Sequence, residues 1–244
     1  MKDHHNKPFK VIVFGESGVG KSALSIRYVC QEFSITYDPT IEDSYQTDIK
    51  IDDESIKAEV IDTAGNDVFR RMRDQYIKSG DGFLLVYSVT DRWSFHAVTA
   101  FREQILAVKG QKHKILPDIP LILVGNKCDL EEERVVSYQD AKKMAENFSC
   151  PLFETSAKND TCVDEVFSCL ARQMKASRAV STRKAFKRDQ QRSSLRHLPF
   201  GGKKCKGRLD TLRQSESSPS SVPTRRRAGS FRGFICGART LGTT

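Results

Sequence analysis

The stretch Phe14 to Leu24, FGESGVGKSAL, decides how the chain reads. Gly15, four further residues and then Gly20-Lys21-Ser22 fit the phosphate-binding loop pattern G-x-x-x-x-G-K-S/T. Glycines at 15, 18 and 20 let backbone N–H groups turn inward around a polyphosphate anion without a side-chain clash. Lys21 then offers a point charge to the outer phosphates, and Ser22 an oxygen ligand to Mg²⁺. The apolar run Phe9-Lys10-Val11-Ile12-Val13-Phe14 reads as a buried strand, and the residues from Ala23 onward as a helix. Such a helix aims the positive end of its dipole at the phosphates.

Composition bounds what surrounds this loop. A chain of 244 residues accommodates one domain of ordinary size with an appendage. From Arg178 to the end there are 17 Lys or Arg against 3 acids, about +14; the remainder carries 23 against 28, about −5, and the two together return the net +9. We therefore expect an N-terminal extension over 1–7, a mildly acidic domain over 8–177 and a basic tail over 178–244. The seven cysteines are scattered and form no C-x-x-C, so neither a disulfide framework nor a zinc site is indicated and a reducing compartment is expected. The start MKDHHNKPFK holds no apolar stretch of signal-peptide length, and no run approaches the roughly 18 apolar residues of a membrane span. A cytosolic or nuclear location with only peripheral membrane contact is expected.

Down the chain, Ser22 to Phe33 is expected to be the helix closing on the phosphates, with Leu24, Ile26, Val29 and Cys30 apolar. Tyr37-Asp38-Pro39-Thr40 has turn chemistry, and Pro39 keeps Asp38 out of helical conformation. The runs Tyr45 to Ile51 and Ile56 to Ile61 flank the turn Asp52-Asp53-Glu54 as in a hairpin. The second leads into Asp62-Thr63-Ala64-Gly65, where a phosphate-loop protein places a second metal-site carboxylate. Phe83 to Val89 and Ile119 to Val124 are continuous apolar runs, as in central parallel strands covered on both faces. Trp93, Phe95, Val98, Phe101, Ile105 and Val108 recur at roughly helical spacing and are read as core. A helix over Ser137 to Phe148, a strand over Pro151 to Glu154 and a last helix with Val163, Val166, Phe167, Leu170 and Met174 on one face complete the pattern. The alternation predicts an α/β fold of the three-layer P-loop NTPase kind, a six-stranded mostly parallel sheet with helices on both faces.

Asn126-Lys127-Cys128-Asp129 follows one strand directly and Thr155-Ser156-Ala157-Lys158 another, and strand ends on the same side of such a sheet converge on one crevice. With GESGVGKS, YDPTIEDSY, DTAG, NKCD and ETSAK in order and spacing, residues 8–177 resemble the Ras superfamily of small GTPases, and within it the Ras subfamily. The resemblance implies a monomeric switch that binds GTP or GDP with Mg²⁺. The loop from Gly15 through Glu16, Ser17, Gly18, Val19 and Gly20 to Lys21, Ser22 and Ala23 would contact the nucleotide, as would Tyr37, with Phe33 packed edge-on beside the base. Asp129 would accept the ring N–H and exocyclic amine of guanine, Asn126 would hold the loop and touch the base, and Lys127 would lie along the ring. Ser156, Ala157 and Lys158 would complete the pocket, the Ala157 N–H meeting the guanine oxygen. Against adenine such a site leaves Asp129 unpaired, a penalty on the order of 10⁴-fold, which disfavours a generic ATPase.

The same resemblance assigns the switch. Thr40 would give its hydroxyl to Mg²⁺ and its backbone N–H to the γ-phosphate; Asp62 would hold Mg²⁺ through water, and the Gly65 N–H would reach the γ-phosphate. Ser22, Thr40 and Asp62 thus make the implied metal site, and Lys21, Thr40, Gly65 and Asn66 the catalytic set; hydrolysis would release both loops. Asp38, Pro39, Ile41, Glu42, Asp43, Ser44 and Tyr45 match the Ras effector loop, which implies Ras-binding-type effectors, with an exchange factor and a GAP as regulators. Glu42 and Asp43 suit a basic partner strand. Three departures stand out. Asn66 replaces the glutamine that in this family orients the attacking water. Its amide falls short by about 1.5 Å, and a misplacement of about 1 Å can cost ~10²-fold, so slow intrinsic hydrolysis is expected. Ser17 stands where Ras proteins have glycine, a weak obstacle since the Rab branch has serine there. The basic stretch Lys109 to Asp118 makes a longer loop than in Ras.

The tail is low in apolar content and rich in Ser, Arg, Lys and Gly, so it is expected to be largely disordered, with the last helix extending as far as Arg188. The chain ends Leu-Gly-Thr-Thr, without the family's prenylation box. Basic clusters at 183–188, 203–208 and 225–227, interleaved with Phe186, Phe200, Phe231 and Phe234, suit an anionic membrane surface, as in Ras relatives of the Rit type. Cys205 or Cys236 is a candidate for palmitate, and Ser230 for phosphorylation that weakens lipid attraction. Nuclear import or nucleic-acid contact is the competing reading of the same charge, and we favour the inner face of the plasma membrane. The expected function is a Ras-like GTP switch in signal transduction. Its rival is a constitutively GTP-loaded, barely hydrolysing effector-binding module.

Overall fold

The computed structural model describes residues 7–33, 42–63, 70–110 and 119–196. The chain runs β1 (Phe9–Phe14), α1 (Lys21–Cys30), β2 (Glu42–Ile51), β3 (Glu54–Thr63), α2 (Arg70–Ser79) and β4 (Gly82–Ser88). It continues through α3 (Arg92–Gly110), β5 (Leu121–Asn126), a short 3-10 turn (Glu131–Glu133), α4 (Tyr138–Phe148), β6 (Leu152–Thr155) and α5 (Val163–Arg196). The six strands form one sheet in the order β2-β3-β1-β4-β5-β6, parallel except for the β2–β3 pair. This is the mostly parallel P-loop α/β sheet that the alternation of elements predicts.

Helices on both faces explain why the central strands are apolar without interruption. Successive side chains of a strand point to opposite faces. In β1, Val11 and Val13 enter a core with Leu24 of α1 and Val166, Phe167 and Leu170 of α5. Ile12 and Phe14 enter the opposite core, with Ile77 of α2, Phe95 and Phe101 of α3 and Ala141 of α4. All seven residues of β4 are buried between them. The rings of Phe14, Phe83 and Phe101 stack in the second core, with centroids 6.2 and 5.9 Å apart.

Several boundaries differ from the sequence expectation. The hairpin ladder runs from Glu42 opposite Thr63 to Ile51 opposite Glu54, beyond the apolar runs on both sides, because backbone pairing continues where side chains turn polar. The turn is therefore Asp52-Asp53 alone, with Asp52 left-handed at φ +50°. Helix α1 stops at Cys30, where Gln31 adopts a left-handed cap, and does not reach Phe33. Strands β5 and β6 lie one to two residues further along than expected, since their register pairs Asn126 with Thr155. Trp93 is not core: it is 75 % exposed. The buried stripe of α3 runs through Ser94, Phe95, Val98, Phe101 and Ile105, and Trp93 lies about 120° round the helix from it. Helix α5 is continuous for 34 residues, through the expected junction near 178 and past Arg188, over a stretch without Gly or Pro. Among the described residues no helix is long and apolar enough to cross a membrane.

Candidate functional site

The phosphate-loop residues leave β1 at Phe14 and enter α1 at Lys21. Gly15 passes so close to β4 that a Cβ would stand 2.2 Å from the Val86 carbonyl oxygen. Gly20, the helix N-cap, is left-handed at φ +93°, and a Cβ there would meet the Asn126 side-chain nitrogen at 2.4 Å. Between them Val19 is buried, Glu16 half-buried, and Ser17 and Gly18 exposed. Lys21 is itself buried, and its Nζ donates to the Glu16 carbonyl at 2.9 Å. Burial lowers its ammonium pKa; the carboxylates of Asp62 and Glu16 oppose that shift and Arg73 adds to it.

Asp62 stands fully buried near the end of β3, in register with Val13 of β1, and the next residue, Thr63, donates its hydroxyl to the Val13 carbonyl at 2.8 Å. A carboxylate is thus brought to the strand end from which the glycine loop departs, within electrostatic reach of Lys21. Among the described residues no three His, Cys, Asp or Glu side chains cluster as a metal cage. Mg²⁺ needs no such cage, because it keeps waters and substrate phosphates and takes one or two protein oxygens. Asp62 and the half-buried Ser22 hydroxyl in the first turn of α1 fit that donor chemistry, and the half-buried Ala23 follows them into the helix.

The other side of the site is built on two strand ends. Asn126 closes β5 and Thr155 closes β6 beside it. The Asn126 amide nitrogen donates to the carbonyls of Val19 at 2.9 Å and Gly20 at 3.4 Å. Its oxygen accepts from the Thr155 hydroxyl at 3.2 Å and the Ala157 N–H at 3.4 Å. One buried side chain therefore ties the glycine loop to the loop after β6. Lys127 is left-handed at φ +65°, and the Cys128 N–H donates to the Thr155 carbonyl at 3.1 Å, which ties the segment carrying Asp129 to the end of β6. Ser156 donates its hydroxyl to Asp129 Oδ1 at 2.6 Å and accepts the Asn159 N–H at 3.0 Å, while the Lys158 side chain is exposed.

Two arginines join this site without any mark in the sequence. Arg27, in the last turn of α1, donates from Nε to the Ala157 carbonyl at 2.7 Å and from Nη2 to the Lys158 carbonyl at 3.2 Å, with its guanidinium 5.9 Å from the Phe33 ring centre. Arg73 of α2 acts on Lys21 through its field and lies over the Phe101 ring at 4.7 Å. Neither belongs to a motif, because each works through neighbours that only the fold supplies. Tyr37, Asp38, Pro39, Thr40, Ile41, Gly65 and Asn66 lie outside the described residues. Of the rest of the effector stretch, Glu42 opens the outer strand β2, Asp43 and Ser44 are exposed, and Tyr45 is half-buried. The Ser44 hydroxyl donates to Glu59 at 3.0 Å.

The family model of the Ras family matches residues 10–176. This chain belongs to the Ras family. It is accordingly a small GTPase, a guanine-nucleotide-binding switch, and the matched span contains the glycine loop, both strand-end loops and the sheet that joins them.

Proposed function

We propose that this Ras-family GTPase is a Ras-type switch in signal transduction whose own hydrolysis is slow. The observation that carries the pocket reading is Asn126, whose side chain joins the Val19–Gly20 carbonyls to Thr155 and Ala157 across the sheet. That joint supports a crevice in which the phosphates and base of one nucleotide are held together. The phosphates lie against Gly15–Ser22, with the Lys21 ammonium offered to the outer ones, and Asp129, anchored by Ser156, accepts the guanine N–H groups. Ser22 and Thr40, with Asp62 through water, would hold Mg²⁺, which would neutralise charge across the phosphates. The Thr40 and Gly65 N–H groups sense the terminal phosphate and so carry the two-state change.

Slow turnover rests on Asn66. Its shortened side chain holds the attacking water poorly, so single-turnover hydrolysis is expected to run ~10²-fold faster in Asn66→Gln than in the natural protein. Equal rates in the two proteins defeat the proposal. A GAP that adds an arginine to the site is expected to restore much of the rate. The alternative, a GTP-loaded effector-binding module, is favoured by the same asparagine. It is distinguished by GTP rather than GDP on the purified protein and by no response to a GAP. We further assign Ras-binding-type effectors to the outer edge of β2, where Asp43 is exposed. The basic segment after 178 is assigned to an anionic membrane at the inner face of the plasma membrane.

A further inference from the structure

The guanidinium of Arg27 spends its fork on three carbonyls, those of Ala157 at 2.7 Å, Lys158 at 3.2 Å and Gln31 at 3.1 Å, and faces the Phe33 ring. A planar arginine head makes such divergent contacts where a lysine has a single point charge. The consequence follows from peptide geometry. A trans peptide points its C=O and its N–H in opposite directions. With the Lys158 carbonyl turned to Arg27, the N–H of the same peptide, that of Asn159, faces the Ser156 Oγ at 3.0 Å. A serine hydroxyl has one proton to donate. Since the Ser156 oxygen already accepts from Asn159, its proton goes to Asp129 Oδ1 at 2.6 Å.

From this relay we infer that Arg27 is a positioning residue for guanine recognition: it orients Asp129 through the Lys158–Asn159 peptide and Ser156, and holds the Phe33 ring beside the same pocket. It thereby sets how long a guanine nucleotide is retained and how much the 2-amino group of the base contributes. The inference rests on the reading of Asp129 as the residue that accepts the guanine N–H groups.

The test compares dissociation of GDP and IDP, which lacks the 2-amino group, from the full-length protein. The variants are Arg27→Gln, Arg27→Lys and the distant surface control Arg172→Ala. In Arg27→Gln, GDP release is expected to accelerate about tenfold, as befits lost charge-assisted bonds, and IDP release by less than about threefold. The IDP-to-GDP rate ratio therefore narrows. Arg27→Lys keeps the charge without the fork and falls between wild type and Arg27→Gln, while Arg172→Ala moves neither rate. Should Arg27→Gln fail to load nucleotide, the same ratio is read in Arg27→Lys. A ratio equal to that of wild type, whether or not both rates rise together, overturns the positioning role and leaves Arg27 as general support of the fold. A wild-type protein that retains neither nucleotide overturns the pocket reading itself.

Discussion

At Tyr87 a polar group sits within an apolar core. Its ring is fully buried and meets Phe95 edge-on at 5.0 Å, yet the hydroxyl has no hydrogen-bond partner among the described residues. Gly125 leaves room for it, since a Cβ there would stand 2.5 Å from the hydroxyl oxygen. Burial raises the phenol pKa far above its ordinary value, so the group stays neutral at physiological pH. A buried hydroxyl without a partner costs about 1–3 kcal/mol. Tyr87→Phe keeps the ring and removes that cost, and is expected to raise stability by about 1 kcal/mol in urea unfolding. A lowered midpoint would show that the hydroxyl is satisfied by bound water. Asn126 is the opposite case, with both ends of its amide engaged on two loops.

Among the elements, α5 does two jobs along one length. Its first half carries Val163, Val166, Phe167, Leu170 and Met174 into the core, and Phe167 stacks on Tyr28 of α1 at 3.8 Å. On its outer side Arg172 pairs with Asp52 at 2.7 Å and Lys175 with Glu54, tying the helix to the β2–β3 turn. These pairs are exposed, and exposed pairs contribute about 0–1 kcal/mol. Phe167→Ala is therefore expected to cost about 3–5 kcal/mol, and Arg172→Ala less than about 1 kcal/mol, both read by chemical denaturation. The reverse order would mean that the hairpin pairs, and not the apolar face, hold the helix. Arg178 ends the packed half: it lies 3.3 Å from the Phe9 ring centre and donates to the Lys7 carbonyl and to Asp81. From there residues 179–183 are exposed and the helix continues to Arg196.

For the whole molecule the governing asymmetry is charge, about −5 before Arg178 and about +14 after it. An acidic body repels anionic lipid while a basic segment attracts it, at roughly 1 kcal/mol per residue near the surface. The full chain is expected to pellet with phosphatidylserine vesicles at low salt and to be released as ionic strength rises and the Debye length shrinks. Pelleting with neutral vesicles, or its loss to competing RNA at low salt, would count against a lipid partner. Much of the fold was legible beforehand, because strand runs, helix spacing and turn residues are local properties, and the central strands β4 and β5 have neighbours on both faces that demand unbroken apolar runs. The loop GESGVGKS was legible for a related reason: close backbone approach at Gly15 and the left-handed Gly20 require glycine at fixed spacing. NKCD and ETSAK were legible because each begins at the end of an apolar strand. By itself, then, the sequence determined the order of the elements and the family. Only the tertiary structure decided that Asn126 reaches the Val19 carbonyl and that Arg27 reaches that of Ala157, 130 positions along the chain. Such contacts are made through space to backbone carbonyls, which every residue carries, so no pattern of side chains announces them.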